Sequence, residues 1–387
     1  MNPRLRHLWE QVIQFWHDHQ LPIALTASLV LAITMSILRN RQIARREWHH
    51  CARVLEVLPP ADLTVRDTLH GAQRLWRDLH ATTRSRLQRF LEGHPPLALE
   101  FWLLPGEIHA RLWIPGTIPA GRAEAALRAA WPGCSIEQIP EDALSPQATT
   151  VGGTVGLHRA EQFPLDLAMS TVDAEVYRPW EALAAGLDRN ECAVIQVLTR
   201  PAAGHRLRRY RTAVQRLNAG RQASSNVVLS ALNSVVRELM DIITGHGPST
   251  PKTRAAGQWR ARSPQETALL RQVNLKASGQ LWETSIRYTV ASSNRGRQTR
   301  ARLSGHTDTL FGVFAQFSSH NSLTRRRTRN PRAVLATRRL RRGVLLSIDE
   351  LAALAHLPTR TPALVDYRAR SIAAPAAATT SIEKEPR

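Results

Sequence analysis

The densest chemistry in the sequence is a run of guanidinium groups. Between Thr284 and Ile348 stand 14 arginines against a single acidic residue, Asp308. Arg325, Arg326, Arg327, Arg329, Arg332, Arg338, Arg339, Arg341 and Arg342 crowd one stretch of it. Guanidinium forks match phosphate oxygens, so such a run can grip a nucleic-acid backbone without reading bases. The same groups suit the anionic inner leaflet of a membrane or the acidic face of a protein partner. The plain alternative is a solvated surface in an arginine-rich chain. The formal net charge is +21, carried almost wholly by arginine, since the only lysines are Lys252, Lys276 and Lys384.

Other chemistry is suggested and then fails on its details. The stretch GHGPSTPKT, 245–253, looks superficially like a phosphate loop, but Pro248 and Pro251 remove N–H donors and the G-K-[ST] ending is missing. VGGTVG, 151–156, reads as a loop, without the strand-to-helix setting of a dinucleotide fingerprint. His17 and His19, like His49, His50 and Cys51, lack a complete metal-ligand set. No nucleophile and base stand at a recognised spacing. The expectation is therefore a chain that is not an enzyme and has no cofactor or metal. Cys51, Cys134 and Cys192 show no paired spacing, which fits a reducing compartment.

The elements that must hold the arginines begin with a membrane anchor. Leu21 to Leu38 is 18 residues without a charge, about 27 Å as a helix and close to the ~30 Å of a bilayer core. Arg4 and Arg6 precede it, whereas Arg39, Arg41, Arg45, Arg46 and Arg53 follow. By the positive-inside rule the C-terminal side is cytoplasmic, making this a single-pass protein of the cell membrane. Residues 1–20 read as an extracytoplasmic amphipathic segment, with Trp9, Phe15 and Trp16 at the outer interface.

The rest reads as α+β, with two small ferredoxin-like lobes and helical connections. Residues 39–93 form a juxtamembrane helical region, with Val65–Gly93 as one long or two broken helices. The first lobe, 94–200, holds a hairpin turning at Pro105-Gly106, a helix near Ala120 to Trp131 and a strand at CSIEQI. A helical segment, 201–244, and a flexible linker, 245–263, lead to the second lobe and exit helix, 264–358. An Ala/Pro-rich tail, 359–387, follows. Glu191–Pro201 and Trp282–Ser293 each feed an Arg-rich turn and a helix, which suggests a repeated unit.

Ser347 and Glu350 form an S-x-x-E capping box, and the helix it starts is stopped at Pro358. With the strand AVIQVLTRPA and the segment NLKASGQLWETSIRYTV, the stretch LLSIDELAALAHLPTR resembles the non-motor region of bacterial conjugative DNA-transfer proteins. These are membrane-anchored type IV secretion ATPases related to the FtsK and HerA motors. In that family the matching segment leads from an accessory domain into the ATPase, and Ser347, Glu350, Leu351, Ala352, His356, Leu357 and Pro358 carry the match. The resemblance implies a motor-docking exit at Ser347, Glu350, Leu351, His356, Leu357 and Pro358. It also implies a separate FtsK/HerA-like ATPase and other transfer proteins as partners, DNA within reach, and an oligomer. The P-loop itself is absent from this chain.

Overall fold

The computed structural model describes residues 3–60, 63–141, 143–145, 147–167, 174–219 and 263–359, with side chains from residue 25 onward except at 120, 174 and 175. The predicted helix within 201–244, beyond residue 219, the linker up to 262 and the tail from 360 lie outside the described residues. Helix α1, Pro3–His50, runs 48 residues without a break. Among the described residues no helix is long and apolar enough to cross a membrane. The expected span from Leu21 to Leu38 falls partly outside the described side chains.

Past α1 the chain is mixed α and β, built on one antiparallel sheet. Its first half contains β1 (Arg53–Leu58), α2 (Val65–His80), α3 (Arg86–Leu91), β2 (Leu97–Leu104), β3 (Glu107–Ile114), α4 (Ala120–Ala130) and β4 (Ser135–Ile139). Its second half contains β5 (Thr149–Leu157), α5 (Arg178–Gly186), β6 (Glu191–Pro201), α6 (Gly204–Asn218), α7 (Pro264–Ser278), β7 (Leu281–Ser292), α8 (Arg297–Ala315) and β8 (Leu323–Arg327). Then come α9 (Pro331–Ala336), β9 (Val344–Ser347) and α10 (Ile348–Leu354).

The sheet order is β4-β1-β3-β2-β6-β7-β5-β8, with β9 pairing the start of β7. Read outward from the β2–β6 seam, the two halves are alike. Each has the connection strand, helix, strand, strand, helix, strand, and each lays the strands down with its second innermost and its fourth at the edge. The repeat differs from the one suggested by the sequence. It makes β6 the counterpart of β2 and β7 the counterpart of β3, so α6 and α7 are an insertion rather than part of the unit. The expected lobes at 94–200 and 264–358 are replaced by units covering 53–139 and 149–327, joined in one sheet.

Two local expectations are corrected. Arg53–Leu58, placed in a helical region, is a strand whose Leu55 and Val57 enter the main core while Val54 packs on the opposite face. VGGTVG is not a loop but the middle of β5. A Cβ on Gly152 would stand 2.3 Å from the Tyr288 carbonyl oxygen and one on Gly153 2.5 Å from that of Arg326, so only glycine lets β5 fit between β7 and β8. The predicted hairpin is present, and Gly106 at its turn has φ 79°, which glycine adopts without steric cost.

Both faces of the sheet are covered, which is why β2 and β6 read as nearly unbroken apolar runs. One face carries α2, α4, α5, α8 and α10 over a core containing the fully buried Trp76, Trp131, Trp180 and Trp282. The opposite face is closed by α9 and the following turn, with Leu335 and Leu340 packed on Trp102, Val194, Trp113 and Leu198. The C-terminal end of α1 is fixed to this body. Ala44 and Trp48 are buried, Arg41 donates to the Phe90 carbonyl at 2.8 Å, and the Gly116 N–H donates to the Trp48 carbonyl at 3.0 Å.

Candidate anion-binding cleft

The arginines gathered by sequence are separated by the fold into three fates. In β8, alternate side chains face opposite sides of the sheet. Arg325 and Arg327 face α8, and with Arg329 beyond the strand they line a cleft of about 290 Å³. Arg300, one turn into α8, completes four guanidinium groups around it. Asp308 bonds Arg325, and that hydrogen bond raises the Arg325 pKa above its ordinary value. Arg300, Arg327 and Arg329 make no ion pair among the described residues. Hydroxyls of Thr150, Ser304, Thr307 and Thr328 and the phenol of Tyr288 share the lining. Burial, aided by Asp308, pushes the Tyr288 phenol up to about 12, so at neutral pH it is a neutral donor. The Thr307 hydroxyl donates to the Ser304 carbonyl at 2.7 Å; the guanidinium groups beside the other hydroxyls and the phenol suit an oxyanion, phosphate above all.

Arg300, Ser304 and Thr307 could have been found. They recur at i, i+4 and i+7 on α8, a polar stripe beside the buried Leu303, Leu310 and Phe314. Thr150 and Gly152 had no local signal, because the strand carrying them looked like a loop.

Arg338 has the second fate. It is 5% exposed, bonds Glu100 at 2.7 Å, and also bonds Glu141. Burial opposes its charge, but the two carboxylates outweigh that and raise its pKa. It is a structural clamp, not a surface contact, because Glu100 is itself buried in the middle of the sheet. Arg326, Arg339, Arg341 and Arg342 are exposed and Arg332 is half-buried, all outside the cleft lining. Arg339 lies toward α1: burial first, then Arg339, Arg41 and Arg200, lower the Arg45 pKa, marking a second concentration of positive charge where α1 meets the body.

Beneath Arg338 a row of polar side chains crosses the sheet. Strand register places Glu137, Glu56, Arg111, Glu100, Gln196, Arg287, Thr154 and Arg326 side by side on eight successive strands. Gln196 donates to Glu100 at 2.8 Å and accepts from Arg287 at 3.3 Å. Arg287 also donates to the carbonyls of Val334 and Arg339. Burial, and then Arg341, lower the Arg287 pKa to about 10.

The exit motif also changes character. The capping box forms as predicted, with Ser347 accepting from the Glu350 N–H and Glu350 from the Ser347 N–H. Yet Glu350, Leu351, His356, Leu357 and Pro358 are buried and Ser347 is half-buried, so they offer no docking surface. Glu350 pairs with the buried Lys276 at 2.8 Å and accepts from the Leu165 N–H at 2.9 Å. Trp76 donates to the Ala355 carbonyl at 3.1 Å, and His356 lies against Tyr177 with ring centroids 4.5 Å apart. Burial lowers the His356 pKa to about 4. The physical reason is composition: Leu351, Leu354 and Leu357 are worth more against α2 than in water.

Among the described residues no group of three or more His, Cys, Asp or Glu could hold a metal ion. A comparison with curated proteins gives no match. Residues 39–366 match the family described as Domain of unknown function (DUF8128), and the chain belongs to that family.

Proposed function

We propose that this chain is a membrane-anchored accessory subunit of a conjugation-type DNA-transfer apparatus. Its own contribution is to hold nucleic-acid backbone, without reading sequence, beside the inner face of the cell membrane. The observation that carries the binding half is the cleft, lined by Arg300, Arg327 and Arg329, which make no ion pair among the described residues, beside several hydroxyls. Guanidinium groups dominate its charge, so contact is with phosphates and falls steeply with salt.

The anchor is supported by α1. Leu25, Leu29, Val30, Leu31, Ile33, Met35 and Leu38 are 48–70% exposed and point all round the helix, which suits lipid rather than a one-sided protein contact. Arg39, Arg41, Arg45 and Arg46 follow at once, which favours a cytoplasmic body. Each unit's strand order supports reading the body as two ferredoxin-like lobes fused edge to edge. The apparatus itself rests on the resemblance of residues 347–358, and a separate motor would have to dock on a surface other than that buried helix.

The test has two arms on the detergent-solubilised full chain. Fluorescence anisotropy with labelled random-sequence DNA should show binding that weakens strongly between 50 and 200 mM salt, by about fortyfold for three phosphate contacts. Affinity purification from native membranes should recover an FtsK-like ATPase at comparable abundance. Binding without the ATPase leaves an independent tethered nucleic-acid binder, and no DNA binding at low salt ends both readings.

A further inference from the structure

The transverse row ends at two charges that have no ion pair among the described residues. At the β4 edge stands Glu137, exposed, beside the already occupied Glu56. At the β8 edge stands Arg326, also exposed, beside Thr154. Both edges are open: among the described residues β4 pairs only with β1, and β8 only with β5. We propose that copies of this chain join head to tail, the β4 edge of one copy pairing with the β8 edge of the next, so that Glu137 faces Arg326.

Strand direction allows it. Eight strands alternate in direction from β4 to β8, so the two edge strands run oppositely. A second copy added without being turned over therefore continues the antiparallel pattern. Placing Glu137 across from Arg326 puts Gln138 opposite Arg325, Ile136 opposite Arg327 and Ile139 opposite Thr324.

The molecule already contains a precedent in its own seam, where the equivalent inner edges pair over seven residues from Leu97↔Thr199 to Leu103↔Ala193. Charged edge strands usually keep sheets apart. Here that device is selective: β4 repels β4 and β8 repels β8, while the unlike edges attract. Such a heterologous contact builds a ring if the rotation closes and a filament if it does not. Arg326 projects away from the cleft lined by Arg325 and Arg327, so assembly and anion binding use alternate residues of one strand.

Sedimentation velocity of the full chain in detergent, across a concentration series, tests this. The expected result is a species larger than the monomer that grows with concentration. Glu137→Arg and Arg326→Glu should each weaken association about tenfold, since each turns an attraction into a repulsion. The E137R/R326E double variant should reassemble, and so should an equimolar mixture of the two single variants. Thermal midpoints unchanged from the parent chain would show that the variants fold. A parent chain that stays monomeric to about 100 µM, single variants that assemble normally, or a double variant that fails to recover would each overturn the proposal.

Discussion

The two halves of the sheet repeat one connectivity but treat charge in opposite ways. Across the seam, Glu137, Glu56, Arg111 and Glu100 of the first unit stand where Arg326, Thr154, Arg287 and Gln196 stand in the second. The first unit's buried carboxylates are paired, one from within the unit and one from beyond it. Glu56 is held by His109, and Glu100 by Arg338 and Gln196. From residue 53 to 139 it carries nine acidic and ten basic residues. The second unit accumulates arginine and leaves it facing solvent around the cleft. One half therefore acts as scaffold and the other as surface, and the same residue type, arginine, serves both ends.

The sharpest way to break that contrast is at Arg338. Arg338→Ala strands Glu100 as a buried, uncompensated carboxylate and should cost about 3–5 kcal/mol in chemical denaturation. Arg327→Ala, on the cleft, should change stability by less than about 0.5 kcal/mol. Equal losses would mean the division between scaffold and surface is wrong.

Leu357→Ala should destabilise by about 2–5 kcal/mol with loss of the thermal midpoint, because the exit helix is interior. A surface role would leave stability unmoved. Converting Arg300, Arg327 and Arg329 to Gln together should weaken DNA binding about a hundredfold near physiological salt and lower the salt slope by about three, with the fold intact.

Acid supplies a smaller, graded effect. Burial, with Arg200 and Arg89, lowers the His94 pKa to about 3, and burial lowers that of His356 to about 4. Below the ordinary value near 6.5 the unfolded chain takes up protons that the folded chain refuses. Stability is therefore full above about pH 6.5 and falls toward pH 3–4, by about 1.4 kcal/mol per pH unit for each histidine. His356→Gln should remove one share of that slope in urea titrations run at several pH values.

Much of this was legible in residue order. The hairpin at Pro105-Gly106, the capping box at Ser347/Glu350, and the helix through Leu303, Leu310 and Phe314 follow from local spacing. What escaped depends on partners far along the chain. β1 was masked by its helical neighbours, and β5 by glycines whose purpose exists only between β7 and β8. Arg338 looked like its neighbours Arg339, Arg341 and Arg342 because nothing in sequence says that Glu100, 238 residues away, waits beneath it. Likewise, three arginines in a row could not reveal that strand alternation sends Arg326 one way and Arg325 and Arg327 the other.

The unbroken passage of α1 into the body sets the molecule's heading. At 48 residues it is about 72 Å long, and the burial of Ala44 and Trp48, with the Arg41 clamp on Phe90, removes any swivel at its base. With α1 in a bilayer, a tilt taken up to match lipid thickness would be handed to the whole sheet as a rotation. Membrane thickness would then steer the direction in which the cleft looks, as a mast turns the vane fixed to it.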